Sequence, residues 1–317
     1  MASALEPLLQ RIRDDVAALP AESVTAMRSV LAEAEREVAA DLRRWLATHV
    51  KDGAERFTAQ KYRSLLLQLR EGARTFDQAP WAQELGAGTE RTLKSGGAGA
   101  SGGAGAIGVA TEHLQAELAF YLDKFGEPLE IAIERAWLME RGEKLLIKRF
   151  ETSAARYAGQ VGDDIRRQLA VGVARNESMH EMGRRLVRLG GPRGVVATRG
   201  ILGERGAQAE EIAEGLFTRY EHWADRLVRT EVINAYGVAT QEGLEQVERE
   251  AEQLGLGDRL KVQKRWDAHY DKRLCIDCRE LDGQTIGVKE RFRPWDIEHP
   301  PAHPHCRCSV VMHMEGW

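Results

Sequence analysis

The sequence predicts a mainly α-helical protein, in which a long helical body precedes a small C-terminal module that mixes helix and strand. Two observations lead to this fold class. Through most of the 317 residues, apolar side chains recur at three- and four-residue steps with charged residues between them, which is the period of amphipathic helices. Beyond Gly257 the period shortens toward two, as in strands, and all four cysteines fall in this last part.

The N-terminal region, residues 1–150, is predicted to consist of helices interrupted by one glycine-rich loop. Helical periodicity covers residues 1–85, resumes in ATEHLQAELAFYLDKFG and continues after Pro128. Residues 86–108 lie between these patterns and are rich in glycine and alanine, which indicates a flexible loop. This run lacks the G-K-[ST] triplet of phosphate-binding loops, so we do not expect it to bind phosphate.

Residues 151–317 form the second predicted region, in which further helices precede the small module at 259–312. Ser178 and Glu181 have the spacing of a capping box, a signature of a helix start. A long helix containing LVRTEVINAYGVATQEGLEQVEREAEQL follows. In the module, LKVQKRWDAH and CSVVMHM have the composition of strands, and ELDGQTIGV carries an Asp-Gly pair that predicts a hairpin turn.

The four cysteines form two pairs with the spacing of metal ligands. Cys275 and Cys278 form a C-x-x-C knuckle, and Cys306 and Cys308 form a C-x-C pair in PPAHPHCRC. Four protein ligands leave no open coordination position, so we predict a structural zinc site that clips the module. Because so small a unit buries little apolar surface, the metal would supply on the order of several kcal/mol of its folding free energy.

Two alternatives to zinc are two disulfides or unligated buried thiols. The N-terminus, MASALEPLLQ, lacks the basic and apolar segments of a secretory signal, and disulfides are rare in a reducing cytoplasm. The fourth ligand is also open. If Cys306 and Cys308 lie on a strand, both face the metal, whereas His303 with Cys306 makes an H-x-x-C pair and leaves Cys308 as a small core residue.

The charge distribution suggests one surface for an anionic partner. The chain carries a net charge of -4, which argues against a protein coated with nucleic acid. Residues 156–205 nevertheless contain ten arginines against five acids. The surface would comprise Arg166, Arg167, Arg184, Arg185 and Arg188. The alternative is a solvated helix face without a partner. No apolar run is long enough to span a bilayer.

Two motifs supply a predicted cluster of buried polar residues with a structural role. Its members are Arg229, Glu231 and Asn234 in VRTEVIN, with Asp271 and Arg273 in the module. Buried polar groups must be paired, so this cluster would pin the long helix against the module. Glu231 can also be imagined as a base or a metal ligand, but such residues more often form salt bridges. We therefore assign no catalytic residue and predict that the protein is not an enzyme.

Four motifs occur in a fixed order: ARNESMHEMGRRL, VRTEVINAYG, RWDAHYDKRLCIDCRELDGQTI and PPAHPHCRCSV. With this ordered set the chain resembles the Mu F-type head morphogenesis proteins of tailed bacteriophages over about residues 150–312. The matching positions are Arg229, Thr230, Glu231, Asn234, Trp266, Asp271, Arg273, Cys275, Cys278, Leu281, Asp282, Gly283, His303, Pro304, Cys306, Arg307 and Cys308.

The resemblance implies a minor head (minor capsid) protein without catalytic activity, carried in a few copies inside the virion and assembled in the bacterial host cytoplasm. The implied partners are the phage portal protein, capsid or scaffold proteins and, for some relatives, DNA; no membrane is implied. The alternative is a zinc-dependent DNA-binding protein or nuclease. The nuclease is disfavoured, because a treble-clef nuclease needs a ligand-bearing helix after the cysteines and none follows Cys308.

Overall fold

The computed structural model describes residues 2–51, 55–70, 73, 78–80, 82–83, 87, 103–125, 156, 159–160, 162–179, 181–182, 185, 207–257 and 259–314. The helix predicted after Pro128 and most of the predicted loop at 86–108 lie outside these residues. Within them, no helix combines the length and the apolar character that a membrane span requires.

Helices account for most of the described residues, which confirms the predicted fold class. They are α1 (Ala2–Ala18), α2 (Pro20–His49), α3 (Ala59–Arg70), α4 (Gly103–Phe125), α5 (Ala207–Gln253) and the short α6 (Ile276–Leu281), and residues 162–174 are also helical. The loop prediction was wrong for residues 103–108, which belong to α4. Ala106, Ile107 and Ala110 are fully buried there, and the free energy of burying this face outweighs the low helix propensity of its glycines.

The chain divides into two compact units, each assembled from separate stretches of sequence. The first unit comprises Met1–Val24, Thr92–Ile147 and Arg226–Trp317, and the second comprises Thr25–Arg91 and Lys148–Asp225. The predicted boundary at residue 150 lies outside the described residues, so the division there stays a prediction.

The predicted capping box is confirmed in the second unit. The Glu181 amide donates to Ser178 Oγ at 3.3 Å, and the Ser178 amide donates to Glu181 Oε2 at 2.8 Å. The residues just before this helix start pair with the segment that precedes α3, where the Phe57 amide donates to the Glu177 carbonyl oxygen at 2.9 Å. The box therefore both begins a helix and fixes a contact between distant parts of the sequence.

The first unit contains a three-stranded antiparallel sheet. Its strands are β1 (Val262–Asp267), β2 (Thr285–Gly287) and β3 (Ser309–Met314), in the spatial order β2-β1-β3. The strands predicted in LKVQKRWDAH and CSVVMHM are confirmed as β1 and β3. The hairpin prediction was wrong, because the residues before the Asp-Gly pair form α6 and β2 pairs with β1 instead.

A cysteine cap explains why α6 forms where an extended segment was expected. Cys275 Sγ accepts the amide of Cys278 at 3.3 Å, which is the hydrogen bond that an N-cap side chain makes. The helix is followed by Gly283, whose φ of 76° suits glycine. The Gly283 amide then donates to the Trp266 carbonyl oxygen at 2.9 Å and joins this turn to β1.

Helix α4 closes the outer edge of the sheet at β3. The Met312 amide donates to Glu117 Oε1 at 3.1 Å, and the Tyr121 hydroxyl donates to the Met312 carbonyl oxygen at 3.2 Å. Both α4 side chains are buried, so these polar groups of the edge strand are paired away from water. A helix from the N-terminal half of the sequence thus completes the C-terminal sheet.

Candidate metal centre

Three short segments bring five potential metal ligands together. Cys275 and Cys278 lie at the start of α6, His303 and Cys306 lie in the loop before β3, and Cys308 directly precedes β3. Cys278, Cys306 and Cys308 are buried, whereas Cys275 and His303 are half-buried. All four cysteines are free thiols, so neither disulfide of the alternative interpretation is formed.

The five donor atoms form two groups that share Cys278 Sγ. His303 Nε2 lies 3.1 Å from Cys275 Sγ and 3.0 Å from Cys278 Sγ, and Cys278 Sγ lies 3.8 Å from Cys306 Sγ. Within the group Cys275–Cys278–His303 and within the group Cys278–Cys306–Cys308, all donor atoms lie within 4.8 Å of one another. The structure therefore gathers all five predicted ligands in one cluster.

The donor set fits a zinc ion. In a tetrahedral site with Zn–S bonds of about 2.3 Å, two sulfur ligands lie about 3.8 Å apart. Cys278 and Cys306 show this separation. Thiolate sulfur and imidazole nitrogen are also the donors of structural zinc sites. Five donors compete for four positions, so one of them is in excess.

The imidazole of His303 is held in the tautomer that a metal ligand needs. His303 Nδ1 lies 2.8 Å from the Pro304 carbonyl oxygen. A carbonyl oxygen only accepts hydrogen bonds, so Nδ1 carries a proton, and the lone pair of a neutral ring is then on Nε2. That lone pair faces the sulfurs of Cys275 and Cys278. Metal-binding histidines commonly have their second nitrogen fixed in this way.

The buried thiols influence one another strongly. The pKa of Cys278 is raised, chiefly because its thiol hydrogen-bonds to Cys306 and Cys308 and is buried. The pKa of Cys306 is lowered, because its sulfur accepts hydrogen bonds from Cys278 and Cys308. Adjacent thiolates repel each other, so one negative charge is favoured in this group of sulfurs. A divalent cation would offset that repulsion and stabilise further thiolates.

An ion pair joins the two segments that carry the ligands. Arg307 stands between Cys306 and Cys308, and its guanidinium forms a bidentate pair with Asp271, which precedes the C-x-x-C knuckle; Arg307 Nη2 lies 2.6 Å from Asp271 Oδ1. The hydrogen bond from Arg307 lowers the pKa of Asp271, which therefore stays charged. The Arg273 amide also donates to Asp271 Oδ1, at 2.7 Å.

Helix α5 lies against the ligand loop at Gly237. A Cβ at this position would overlap the Pro300 carbonyl oxygen and would lie 2.6 Å from His299 Nδ1. Only a residue without a side chain fits such an approach. This contact joins the motif VRTEVINAYG to the motif PPAHPHCRC.

A buried lysine makes a second contact between α5 and the module. Lys264 Nζ, from the central strand β1, donates to Gln241 Oε1 at 2.8 Å and to the Glu298 carbonyl oxygen at 3.0 Å. Gln241 Nε2 donates in turn to the Val288 carbonyl oxygen at 2.8 Å. Burial lowers the pKa of Lys264 to about 8. Sequence reasoning missed this residue, because a lysine in a strand usually faces solvent.

The predicted polar cluster is divided between two places. Among the described residues, Asp271 and Arg273 contact each other, and Asp271 also contacts His269 and Arg307, all within the module. On α5, Asn234 is buried, while Arg229 and Glu231 are half-buried. The structure thus places Asp271 and Arg273 beside the metal centre. The structural role of the three helix residues stays a prediction.

Three of the arginines predicted to form an anionic-partner surface lie among the described residues. Each faces a carboxylate within the second unit: Arg166 with Asp163, Arg167 with Asp164, and Arg185 with Glu177. Such pairing reduces the positive potential that an anionic partner would meet. Arg184 and Arg188 lie outside the described residues, and the surface itself stays a prediction.

A buried relay in the first unit was also missed by sequence reasoning. His113 Nε2 lies 3.0 Å from Asp15 Oδ2, and His113 Nδ1 lies 3.0 Å from the Tyr236 hydroxyl. Burial lowers the pKa of His113 and raises the pKa of Tyr236, so the neutral ring donates to Asp15 and accepts from Tyr236. The relay holds α1, α4 and α5 together. No local sequence pattern predicts this relay, because its residues lie far apart in the sequence.

A family model described as phage Mu protein F like protein matches residues 160–311. The matched segment contains α5, β1, α6, β2 and all five residues of the metal-ligating cluster, whereas α1 to α4 lie outside it. No curated protein and no solved structure matches the chain.

Proposed function

We propose that the chain acts as a minor head protein of a tailed phage, because the family model of phage Mu protein F like proteins matches its residues 160–311. In this role it is carried in a few copies inside the capsid, in contact with the portal and with capsid or scaffold proteins. It acts by binding rather than by catalysis. The family match over the segment that contains the metal centre is the observation that supports the proposal most directly.

The metal centre has a structural role in this proposal. One zinc ion is held by Cys275, Cys278 and Cys306, with His303 or Cys308 as the fourth ligand. A zinc ion with four protein ligands supplies no open coordination position and so contributes folding free energy rather than chemistry. The Arg307–Asp271 pair and the Gly237 contact then fix the ligand loop against α6 and α5.

The helices outside the matched segment are the proposed site of contact with other virion proteins. Contact with DNA is a subsidiary part of the proposal and depends on the arginine-rich stretch at 156–205. Because the described arginines there pair with acids, we expect DNA affinity to be weak and to fall further as the salt concentration rises.

Co-purification with particles tests the proposal. The chain is expressed together with the particle genes of its own phage, procapsids are isolated on a density gradient, and the chain is quantified against the major shell protein. A few copies per particle, retained with the portal, are expected. Complete exclusion from particles would contradict the minor head role, and assays of DNA binding and cleavage would then be the appropriate measurements.

A variant that lacks one metal ligand tests whether incorporation of the chain into particles depends on the metal centre. Cys275→Ser removes one of the three thiolates common to both ligand sets. If the metal centre orders the part of the chain that enters the particle, this variant is incorporated less than the wild type at equal expression. The exposed His305→Ala, close to the same loop, serves as the matched control and should be incorporated normally.

A further inference from the structure

Five donors surround a site with four positions, and we propose that the ligands are Cys275, Cys278, His303 and Cys306, while Cys308 stays outside the coordination shell. The inference rests on the zinc centre of the proposed function. It assigns to Cys308 a different role, that of a small buried residue at the start of β3.

The first argument concerns the position of His303. Its Nε2 lies 3.1 Å from Cys275 Sγ and 3.0 Å from Cys278 Sγ, so the imidazole already shares an edge of the site with both sulfurs of the knuckle. The contact between Nδ1 and the Pro304 carbonyl oxygen at 2.8 Å fixes the ring so that Nε2 faces both sulfurs.

The second argument concerns two turns of the same length. Cys275 and Cys278 are three residues apart, and the Cys278 amide donates to Cys275 Sγ at 3.3 Å. His303 and Cys306 are also three residues apart, and the Cys306 amide donates to the His303 carbonyl oxygen at 3.1 Å. Each turn therefore presents two donors from one side, and two such turns supply four.

The third argument concerns the place of the Cys308 side chain. Cys308 is 2% exposed and directly precedes β3, which pairs with β1 along its whole length. A free cysteine in such a buried position packs as a small apolar residue and needs no bond to a metal.

Proximity alone does not decide between the two sets, because Cys308 Sγ lies within 4.8 Å of the sulfurs of Cys278 and Cys306. Both sets require the sulfurs of Cys275 and Cys306 to approach each other. The set with His303 also requires His303 Nε2 to approach Cys306 Sγ, and the Cys306 amide already donates to the His303 carbonyl oxygen. The set with Cys308 also requires the sulfurs of Cys275 and Cys308 to approach each other, and these two residues belong to different groups.

X-ray absorption on the zinc-loaded wild-type protein tests the assignment without any substitution. The full chain is purified without chelators, its zinc content is measured, and the first coordination shell is fitted for sulfur and nitrogen neighbours. Three sulfurs and one nitrogen are expected at one zinc per chain. Four sulfurs at the same stoichiometry would overturn the assignment and leave the proposed zinc centre intact. Absence of bound zinc would overturn both.

Cobalt spectra of variants identify the individual ligands. Cys308→Ala and Cys308→Ser are expected to keep the thiolate-to-cobalt absorption and the stoichiometry of the wild type. His303→Ala is expected to weaken metal binding by more than about 100-fold, beyond what the loss of a second-shell partner costs. His305→Ala is the matched control and should leave the spectrum unchanged. If a Cys308 variant loses absorption while His303→Ala keeps it, the assignment is wrong.

Discussion

Gly237 of α5 lies against Pro300 of the ligand loop, whose carbonyl oxygen occupies the space that a Cβ at residue 237 would need. The backbone of the helix therefore approaches the backbone of the loop directly, and the ring of His299 lies at the same point. Neither backbone segment can shift easily, because Gly237 belongs to a long helix and Pro300 to a loop with consecutive prolines. Glycine at position 237 therefore allows the helix and the loop to lie this close together.

We expect Gly237→Ala to destabilise the first unit. The overlap with Pro300 and His299 costs about 1–3 kcal/mol, and the higher helix propensity of alanine, about 1 kcal/mol, offsets only part of it. Urea unfolding monitored by tryptophan fluorescence measures the change. Gly257→Ala is the matched control, because a Cβ there would make only ordinary van der Waals contacts with Glu252, the nearest at 3.4 Å. Equal stability of the two variants would show that the close approach carries no cost.

We expect removal of the Arg307–Asp271 pair to weaken metal binding. Arg307→Gln breaks a bidentate contact that holds the loop of Cys306 beside the segment of Cys275, and loss of such outer partners typically costs about 10–100-fold in metal affinity. Competition with a chromophoric zinc chelator gives the affinity. Arg273→Gln is the control, because that side chain is 76% exposed and lies 3.5 Å from Asp271. A similar loss of zinc affinity in both variants would show that the Arg307–Asp271 pair has no specific role in metal binding.

The buried carboxyl of Glu117 is expected to make stability depend on pH. Burial, with a smaller contribution from the nearby charge of Asp267, raises the pKa of Glu117 from 4.5 to about 8, although the Met312 amide and Arg265 oppose this shift. A folded-state pKa above the unfolded value means that the stabilisation is complete below pH 4.5 and is lost as the pH rises through 8. The slope from this group is at most about 1.4 kcal/mol per pH unit.

Glu117→Gln should flatten that part of the pH profile, because glutamine resembles the protonated carboxyl and still accepts from the Met312 amide. The free energy of unfolding is measured from pH 5 to 8 and compared with that of Glu112→Gln, a substitution at an exposed position of the same helix. Parallel profiles for wild type and Glu117→Gln would mean that Glu117 does not titrate in this range.

Chelation is expected to loosen the ligand-bearing segments while the sheet persists. β1 and β3 pair along their whole lengths, and α4 covers β3, so these strands do not depend on the metal alone. Hydrogen exchange with and without a strong zinc chelator should therefore increase for residues 268–308 far more than for residues 262–267 and 309–314. Uniform loss of protection across all of them would show instead that the module unfolds as a whole without the metal.

Local features of the sequence predicted much of this architecture. The helical periodicity, the capping box of Ser178 and Glu181, the strands around Trp266 and Val310, and the clustering of the five metal donors all follow from neighbours in the chain. Each depends on interactions within a few residues or on the known spacing of ligands.

The remaining features depend on residues that are distant in sequence. The pairing of Glu117 with Met312 spans 195 residues, and the contact of Lys264 with Gln241 joins a strand to a helix. A buried carboxyl or lysine looks like a surface residue until its partner is known. The helix α6 was missed for a local reason, because a cysteine sulfur acts there as the N-cap in place of the usual oxygen.

The pairing of Met312 with Glu117 and Tyr121 has a consequence for fragments of this protein. A piece that begins at residue 226 would keep β1, β2, β3 and every metal ligand, yet it would lack α4. The amide and carbonyl of Met312 would then face water on a short, apolar edge strand, a template for pairing with another chain. We expect such a fragment to self-associate through this edge and to regain solubility when α4 is added in trans.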